Sequence, residues 1–186
     1  MRKEKLITGG YYHIYNRGVN FENIFFQEQN WYFFLDRLKR YFTPNKVEIL
    51  AYCLMPNHYH LLVQVKTDDI GIQVVHPFAI SYTKAINKQQ ERVGPLFQGP
   101  YQVRSVNNPN DLIHLSSYIH NNPVAAGFVQ APEEWEFSSY LEYIGERRGS
   151  LPKVEVVLTR FKNRLAYADF VKEGLDKRLP LTLLID

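Results

Sequence analysis

Two histidines separated by one residue, His58 and His60, have a type and a spacing that could do chemistry. They begin an alternating segment, 58–65, that is typical of a β-strand, so both imidazoles should emerge from one face of a sheet and could converge on one metal ion. Neutral imidazole is a common ligand of divalent metals, but two histidines leave the coordination shell incomplete. The alternative is that both rings face solvent or pack at a sheet edge. Apolar residues flank the pair, which favours an engaged role, because buried polar rings without partners cost stability.

A second set of reactive side chains, His114, Tyr118 and Asn122, recurs every four residues before Pro123. Helical geometry places such residues on one face, where an imidazole, a phenol and an amide would line up. Asn122 could offer an oxygen to a metal, although the following proline biases it away from helical geometry. Tyr118 could instead anchor its ring in the core, as most of the 13 tyrosines should. Spacing alone therefore does not select Tyr118, and His114 is either a proton acceptor or a core histidine.

The elements that must position these residues follow from hydrophobic periodicity and from the Gly and Pro residues that interrupt it. Strands are predicted at 11–17, 47–55, 58–65 and 101–106. Helices are predicted at 27–41, 78–91 and 112–121, with a short helical piece before Pro77. This order, βαββαβ, predicts an α+β fold with a ferredoxin-like, RRM-like antiparallel sheet. Helices would cover one face of the sheet and leave the other available for a ligand.

Composition limits the class of protein. A chain of 186 residues, 45% hydrophobic and 22% charged, suits one catalytic domain over 1–186, with 147–186 as a C-terminal helical extension. No segment approaches the ~18 apolar residues of a membrane span, and the start lacks the apolar core of a signal peptide, so we expect a cytoplasmic protein. The single cysteine, Cys53, cannot form an intramolecular disulfide. A net charge of +3 is compatible with a polyanionic partner.

Two segments of the sequence resemble the signature blocks of a known family. They are Met55-Pro56-Asn57-His58-Tyr59-His60-Leu61-Leu62 and Ser117-Tyr118-Ile119-His120-Asn121-Asn122-Pro123-Val124-Ala125-Ala126-Gly127. The first, with an aromatic residue between its histidines, and the second, with its Y-x-x-x-N-P pattern, resemble the REP-associated tyrosine transposases of the single-tyrosine HUH class. Segments 15–18, 24–26, 96–99 and 135–145 extend the resemblance over most of residues 10–146.

This resemblance implies a metal-dependent enzyme that cuts and rejoins single-stranded DNA, with Tyr118 as the nucleophile and a 5′-phosphotyrosine intermediate. His58 and His60 would hold a divalent ion, Mg²⁺ or Mn²⁺, with Asn122 as third ligand where related insertion-sequence transposases have Gln, and His114 could be an accessory residue. The DNA partner would be a hairpin with an adjacent guide sequence. The resemblance favours a monomer over a dimer with exchanged tyrosine helices.

Two alternatives stay open, a hydrolytic metal-dependent nuclease and a non-catalytic RRM-like nucleic-acid-binding module. The second would require an aromatic strand of the K/R-G-F/Y-G/A-F-V-x-F/Y type, which the sequence does not contain. No G-x-x-x-x-G-K-[ST] segment is present, so no nucleotide cofactor is expected. Basic residues that could contact DNA, each by default an ordinary surface charge, are Arg17, Lys84, Lys88, Arg92 and Arg104.

Overall fold

Four antiparallel strands form one sheet in the computed structural model of the protein, which describes residues 4–174. The strands are β1 (Tyr11–Arg17), β2 (Val47–Met55), β3 (His58–Val65) and β4 (Gln102–Val106). Their order across the sheet is β2-β3-β1-β4. Helices connect β1 to β2 and β3 to β4, so the first part of the chain has the predicted βαββαβ order of a ferredoxin-like fold.

Six α-helices pack on this sheet, three of them in the last third of the described chain. They are α1 (Glu28–Tyr41), α2 (His76–Gln89), α3 (Pro109–Ala125), α4 (Tyr140–Ile144), α5 (Glu155–Leu158) and α6 (Arg164–Gly174). Short 3₁₀ turns at Val19–Phe21 and Pro132–Glu134 and a π turn at Gly71–Val75 join them. Within residues 4–174 no helix is both long and apolar enough to cross a membrane. Residues 175–186 of the expected C-terminal extension lie outside the described part of the chain.

Two hydrophobic cores lie on opposite faces of the sheet. In β3, Tyr59, Leu61 and Val63 pack into the core beneath α1 and α2, while Leu62 packs into the core beneath α3 and α6. The face expected to be available for a ligand is therefore partly covered by α3 and the C-terminal helices. Because strands buried on both faces need apolar residues at nearly every position, β2 and β3 read as almost continuous apolar runs. His60 interrupts the apolar run of β3 and projects from the same face of the sheet as Leu62.

Two prolines lie differently from the sequence prediction. Pro77 does not precede the second long helix but sits in its first turn, directly after the π turn of Gly71–Val75. Pro123 lies inside α3, which continues to Ala125, and the Ala126 N–H donates to the Asn122 carbonyl at 3.0 Å. The expectation that Pro123 moves Asn122 away from helical geometry is thus corrected. The helix end tolerates this proline because only one ladder hydrogen bond is lost there.

A buried polar network fixes α3 against α6. The ring nitrogens of His120 lie 2.7 Å from the Tyr167 hydroxyl (Nδ1) and 2.8 Å from the Ser139 hydroxyl (Nε2). The Asn121 amide donates to the Val171 carbonyl at 2.7 Å. His120 is fully buried, and burial lowers its pKa to about 3. His120 and Asn121, which follow Tyr118 closely in the sequence, therefore hold α3 in place.

The buried imidazole of His120 should make stability depend on pH. In the unfolded chain it binds a proton near pH 6.5, whereas in the folded protein it stays neutral down to about pH 3, so the free energy of unfolding falls as the pH falls between these values. We expect His120→Gln to reduce the slope of unfolding free energy against pH, between about pH 4 and 6, by roughly 1.4 kcal/mol per pH unit. Urea denaturation at a series of pH values measures this slope.

Tyr167→Phe is the matched control for this experiment, because it removes the two hydrogen bonds of the Tyr167 hydroxyl, to His120 and to Ser116, and leaves the imidazole in place. It should lower the free energy of unfolding by about 2 kcal/mol at each pH without changing the slope. An unchanged slope in His120→Gln would show that this histidine does not carry the acid sensitivity.

Candidate active site

A cavity of about 770 Å³ opens between the end of the sheet and α3. It lies on the sheet face that carries His60 and α3, opposite to α1 and α2. The lining residues come from strands β1, β3 and β4, from the turns after β1 and between β2 and β3, from the segment before β4, and from the C-terminal half of α3. The lining residues are Tyr15, Asn16, Arg17, Phe21, Asn57, His58, Tyr59, His60, Gln98, Gly99, Pro100, Gln102, Arg104, Tyr118 and Asn122.

The pairing of β1 with β3 concentrates polar side chains at this end of the sheet. In the antiparallel register Arg17 lies opposite His58, and Tyr15 lies opposite His60. Residues directly opposite each other project from the same face, and so do alternate residues along each strand. His13, two residues before Tyr15, therefore also faces the histidine pair. The same-face placement of His58 and His60 that the sequence predicts is what the structure has.

The tautomer of His58 follows from its neighbours. Asn57 donates through its Nδ2 to the Phe21 carbonyl at 3.1 Å, which leaves its Oδ1 to accept from Nδ1 of His58 at 2.6 Å. Nε2 of His58 then carries the lone pair, and it faces Oδ1 of Asn122 at 3.3 Å. Burial lowers the pKa of His58; the contact with Asn122 opposes this shift and the positive charge of Arg17 adds to it. The imidazole is thus a neutral acceptor at neutral pH.

His60 has a comparable arrangement on the other side of the site. Its Nδ1 lies 3.0 Å from Nε2 of His13, and both rings are almost completely buried. Nε2 of His60 is buried and has no hydrogen-bond partner of good geometry in residues 4–174. Burial first, and then the nearby His58 and His13, lower the pKa of His60 well below its usual value, while Asn122 opposes the shift. Burial, followed by the charge of Arg104, lowers the pKa of His13 to about 3.

Two tyrosines border the histidines, and only one of them was selected from the sequence. The half-buried Tyr118 on α3 lies edge-on to His60, with the ring centroids 5.6 Å apart. Tyr15 of β1 lies 6.3 Å from the same ring. Asn122 follows Tyr118 by one helical turn, and both line the cavity. The structure therefore has Tyr118 and Asn122 on the shared face of α3 that their spacing predicts, and places both beside the histidine pair.

The site presents acceptors that face one another. The lone pair of His58 Nε2 points at an amide oxygen of Asn122, and His60 Nε2 is buried beside them without a donor. Such an arrangement is unfavourable by itself, because Nε2 of His60 is buried without a partner and the two facing acceptors repel each other. A divalent cation held by two imidazole nitrogens and one oxygen would satisfy all three atoms. In the described residues no three His, Cys, Asp or Glu side chains converge as metal ligands, so the oxygen of this set comes from an amide.

Of the other predicted site residues, two line the cavity and four lie elsewhere on the protein. Arg17 and Arg104 line the cavity. His114 is exposed, with its ring centroid 5.2 Å from that of Phe170, and it does not belong to the cavity lining. The exposed Lys84 and Lys88 lie on α2, on the far side of the sheet. A further predicted cation, Arg92, pairs with Glu22 at 3.2 Å outside the cavity lining.

Sequence reasoning missed several residues that the structure places in or behind the site. His13, Tyr15 and Asn57 contact or border the two histidines, and Phe21 and Gln98 line the cavity. A partial signal exists for two of them, because alternate positions of a predicted strand, 13, 15 and 17, share one face. Which strand lies beside β3, and in which register, could not be derived from that periodicity.

Comparison with known proteins shows the family and the fold. The profile of the IS200-like transposases matches residues 7–122. A Haemophilus influenzae protein, provisionally named a REP-associated tyrosine transposase, is 24% identical over 141 residues, which cover 66% of this chain and 80% of that protein. A solved structure of a REP-associated tyrosine transposase bound to a REP hairpin shares the fold, with a TM-score of 0.61 and 19% identity over 82% of this chain and 96% of the other. The chain belongs to the family of IS200-like transposases.

Proposed function

We propose that this transposase cuts and rejoins single-stranded DNA by transesterification, with Tyr118 as the nucleophile and a divalent metal bound by His58, His60 and Asn122. The observation that carries the proposal is the convergence of two neutral imidazoles, one amide oxygen and one phenol on a single open cavity. The proposed active unit is a monomer in which all four groups belong to the same chain.

The phenol supplies the covalent chemistry. The phenol of Tyr118 gives up its proton and its oxygen attacks the phosphorus of the DNA backbone. The bond from phosphorus to the 3′ oxygen breaks, and that oxygen takes up a proton to become a free 3′-OH, so the step consumes no net proton. The 5′ phosphate remains bonded to the tyrosine, which preserves the phosphodiester energy without a nucleotide cofactor. Attack by a 3′-OH on the phosphotyrosine reverses the step and rejoins the strand. The half-buried position of Tyr118 at the cavity wall suits a nucleophile that must meet a polymer.

The metal proposal depends on how well the residues fit a cation. Nε2 of His60 is a buried acceptor without a donor, and Nε2 of His58 faces the oxygen of Asn122. Mg²⁺ or Mn²⁺ at these atoms would polarise the scissile phosphate and stabilise the charge on its oxygens. Asn57 and His13 then act from behind the ligands, because each engages an Nδ1 atom and leaves the corresponding Nε2 to the cavity.

The basic part of the cavity wall would receive the DNA backbone. Arg17 and Arg104 line the cavity on β1 and β4, beside the histidines. A hairpin with a single-stranded arm fits the proposal, since the solved relative of the same fold is bound to a REP hairpin. Lys84 and Lys88 lie behind the sheet, so we assign no contact with the cut strand to them. Most of the affinity should therefore depend on salt through a few phosphate contacts.

Replacing Tyr118 by Phe should abolish covalent capture of DNA. We expect 3′-labelled hairpin DNA with a single-stranded arm, incubated with Mn²⁺, to give a protein–DNA adduct on a denaturing gel, and Tyr118→Phe to lower its formation by at least about 1000-fold while DNA binding persists. The matched control is Tyr15→Phe, which alters the other half-buried phenol beside His60 and should retain the adduct.

Three other outcomes of this assay would lead to a different nucleophile or a different function. Cleavage of the labelled strand without an adduct would indicate a hydrolytic nuclease in which water replaces Tyr118. An adduct that survives Tyr118→Phe but not Tyr15→Phe would make Tyr15 the nucleophile. Binding of the DNA with no cleavage, in the presence or absence of Mn²⁺, would leave a non-catalytic nucleic-acid-binding module.

His13 provides a separate test of the metal site. We expect His13→Leu to weaken Mn²⁺ binding by roughly 10- to 100-fold, because Nδ1 of His60 loses the partner that orients the ring. In His13→Gln the amide oxygen can accept from the same nitrogen, so much of the affinity should return. Electron paramagnetic resonance of free Mn²⁺ during titration measures the affinity, and thermal unfolding checks that both variants fold. Parental affinity in the folded Leu variant would rule out the positioning role.

A further inference from the structure

Phe21 is an aromatic side chain exposed at the rim of the cavity. It is 62% exposed, more than any other large aromatic residue among those described, and it lines the same cavity as His58. The other cavity aromatics, Tyr15, Tyr59 and Tyr118, are half-buried or buried. An aromatic ring exposed at the rim of a cavity can stack on a ligand that enters the cavity.

The backbone that presents this ring is held in an uncommon conformation. Asn20 and Phe21 have φ angles of 52° and 61°, the left-handed region that residues other than glycine rarely occupy. The preceding Gly18 cannot be replaced without a shift, since a Cβ there would lie 2.0 Å from the Glu22 carbonyl oxygen. Residues held in such conformations persist where surrounding contacts impose them, and they are frequent at ligand sites.

Hydrogen bonds fix this turn to the walls of the cavity. The Gly18 N–H donates to the Asn57 carbonyl at 2.7 Å, and the Val19 N–H donates to the Leu96 carbonyl at 3.0 Å. The Asn57 side chain donates to the Phe21 carbonyl and accepts from His58. Phe21 and His58 are thus linked through one side chain. The ring is presented in advance, at a fixed position relative to the metal ligands, which lowers the entropic cost of binding.

We propose that Phe21 is a stacking platform for an unpaired DNA base adjacent to the phosphate that is cut. This inference rests on the proposed function and adds that the side of the cavity formed by Phe21 binds an unpaired base of the substrate. The guanidinium of Arg17 lies over one face of the ring, 4.1 Å from its centroid, so the opposite face is the one offered to a base. Arg17 also hydrogen-bonds to Gln98, so a cation and an amide stand beside the stacked base.

The residue types suit an unpaired nucleobase better than other ligands. Every base has a π-face that stacks on an aromatic ring, and a neighbouring arginine attracts the phosphate attached to it. A base within a duplex is already stacked and paired, so it cannot cover Phe21. The platform therefore selects single-stranded DNA, independently of the base sequence.

The experiment uses a probe that reports stacking without cleavage. The protein carries Tyr118→Phe, and the probe is a hairpin oligonucleotide with a short randomised single-stranded arm that contains 2-aminopurine at one position, moved along the arm in a series. Stacking quenches the fluorescence of 2-aminopurine. We expect quenching at one arm position, an affinity loss of about 5- to 150-fold with loss of quenching in Phe21→Leu, and recovery of both in Phe21→Tyr.

Phe128→Leu is the matched control, because Phe128 is 53% exposed but lies beside Trp135, with ring centroids 5.6 Å apart, and not in the cavity lining. It should leave affinity and quenching unchanged. Parental affinity and quenching in Phe21→Leu would overturn the proposal while leaving the proposed function intact. Absence of DNA binding by the protein with Phe21 in place would overturn both.

Discussion

Two neighbouring imidazole rings on one sheet face, that of His60 buried and that of His58 half-buried, need partners for their nitrogens, and the rest of the site is arranged around this constraint. Asn57 engages one nitrogen of His58, and His13 engages one nitrogen of His60. The remaining Nε2 atoms are left with an amide oxygen, Asn122, and no donor of good geometry in the described residues. Neutral, desolvated imidazoles in this arrangement are poor partners for each other and good ligands for a cation.

Each layer of the fold contributes one part of this arrangement. The β1–β3 register places His13, Tyr15 and Arg17 beside the histidine strand. The turn at 18–22, tied to Asn57, fixes the orientation of that amide. Helix α3 brings Tyr118 and Asn122 over the sheet, and its contacts with α6 hold it from the other side. The matched family segment ends at residue 122, so α6 lies outside it but still supports the helix of the nucleophile.

The sequence could predict whatever depends on periodicity within one element. Strands 11–17, 47–55 and 58–65 coincide with the observed strands, and the same-face relations of His58 with His60 and of Tyr118 with Asn122 hold in the structure. His13 and Asn57 could not be found in this way, because their roles depend on strand register and on a turn contact between distant segments. His114 shares the face of Tyr118 by spacing, yet the cavity ends before the turn of α3 on which it lies.

The central claim is that the supporting side chains leave two imidazole nitrogens and one amide oxygen to a single cation. A crystal structure of the protein with Mn²⁺, with data collected at a wavelength where manganese scatters anomalously, tests it directly. We expect one anomalous peak within about 2.3 Å of Nε2 of His58, Nε2 of His60 and Oδ1 of Asn122. An occupied site that involves other atoms of these residues, or an empty cavity at saturating Mn²⁺, would contradict it.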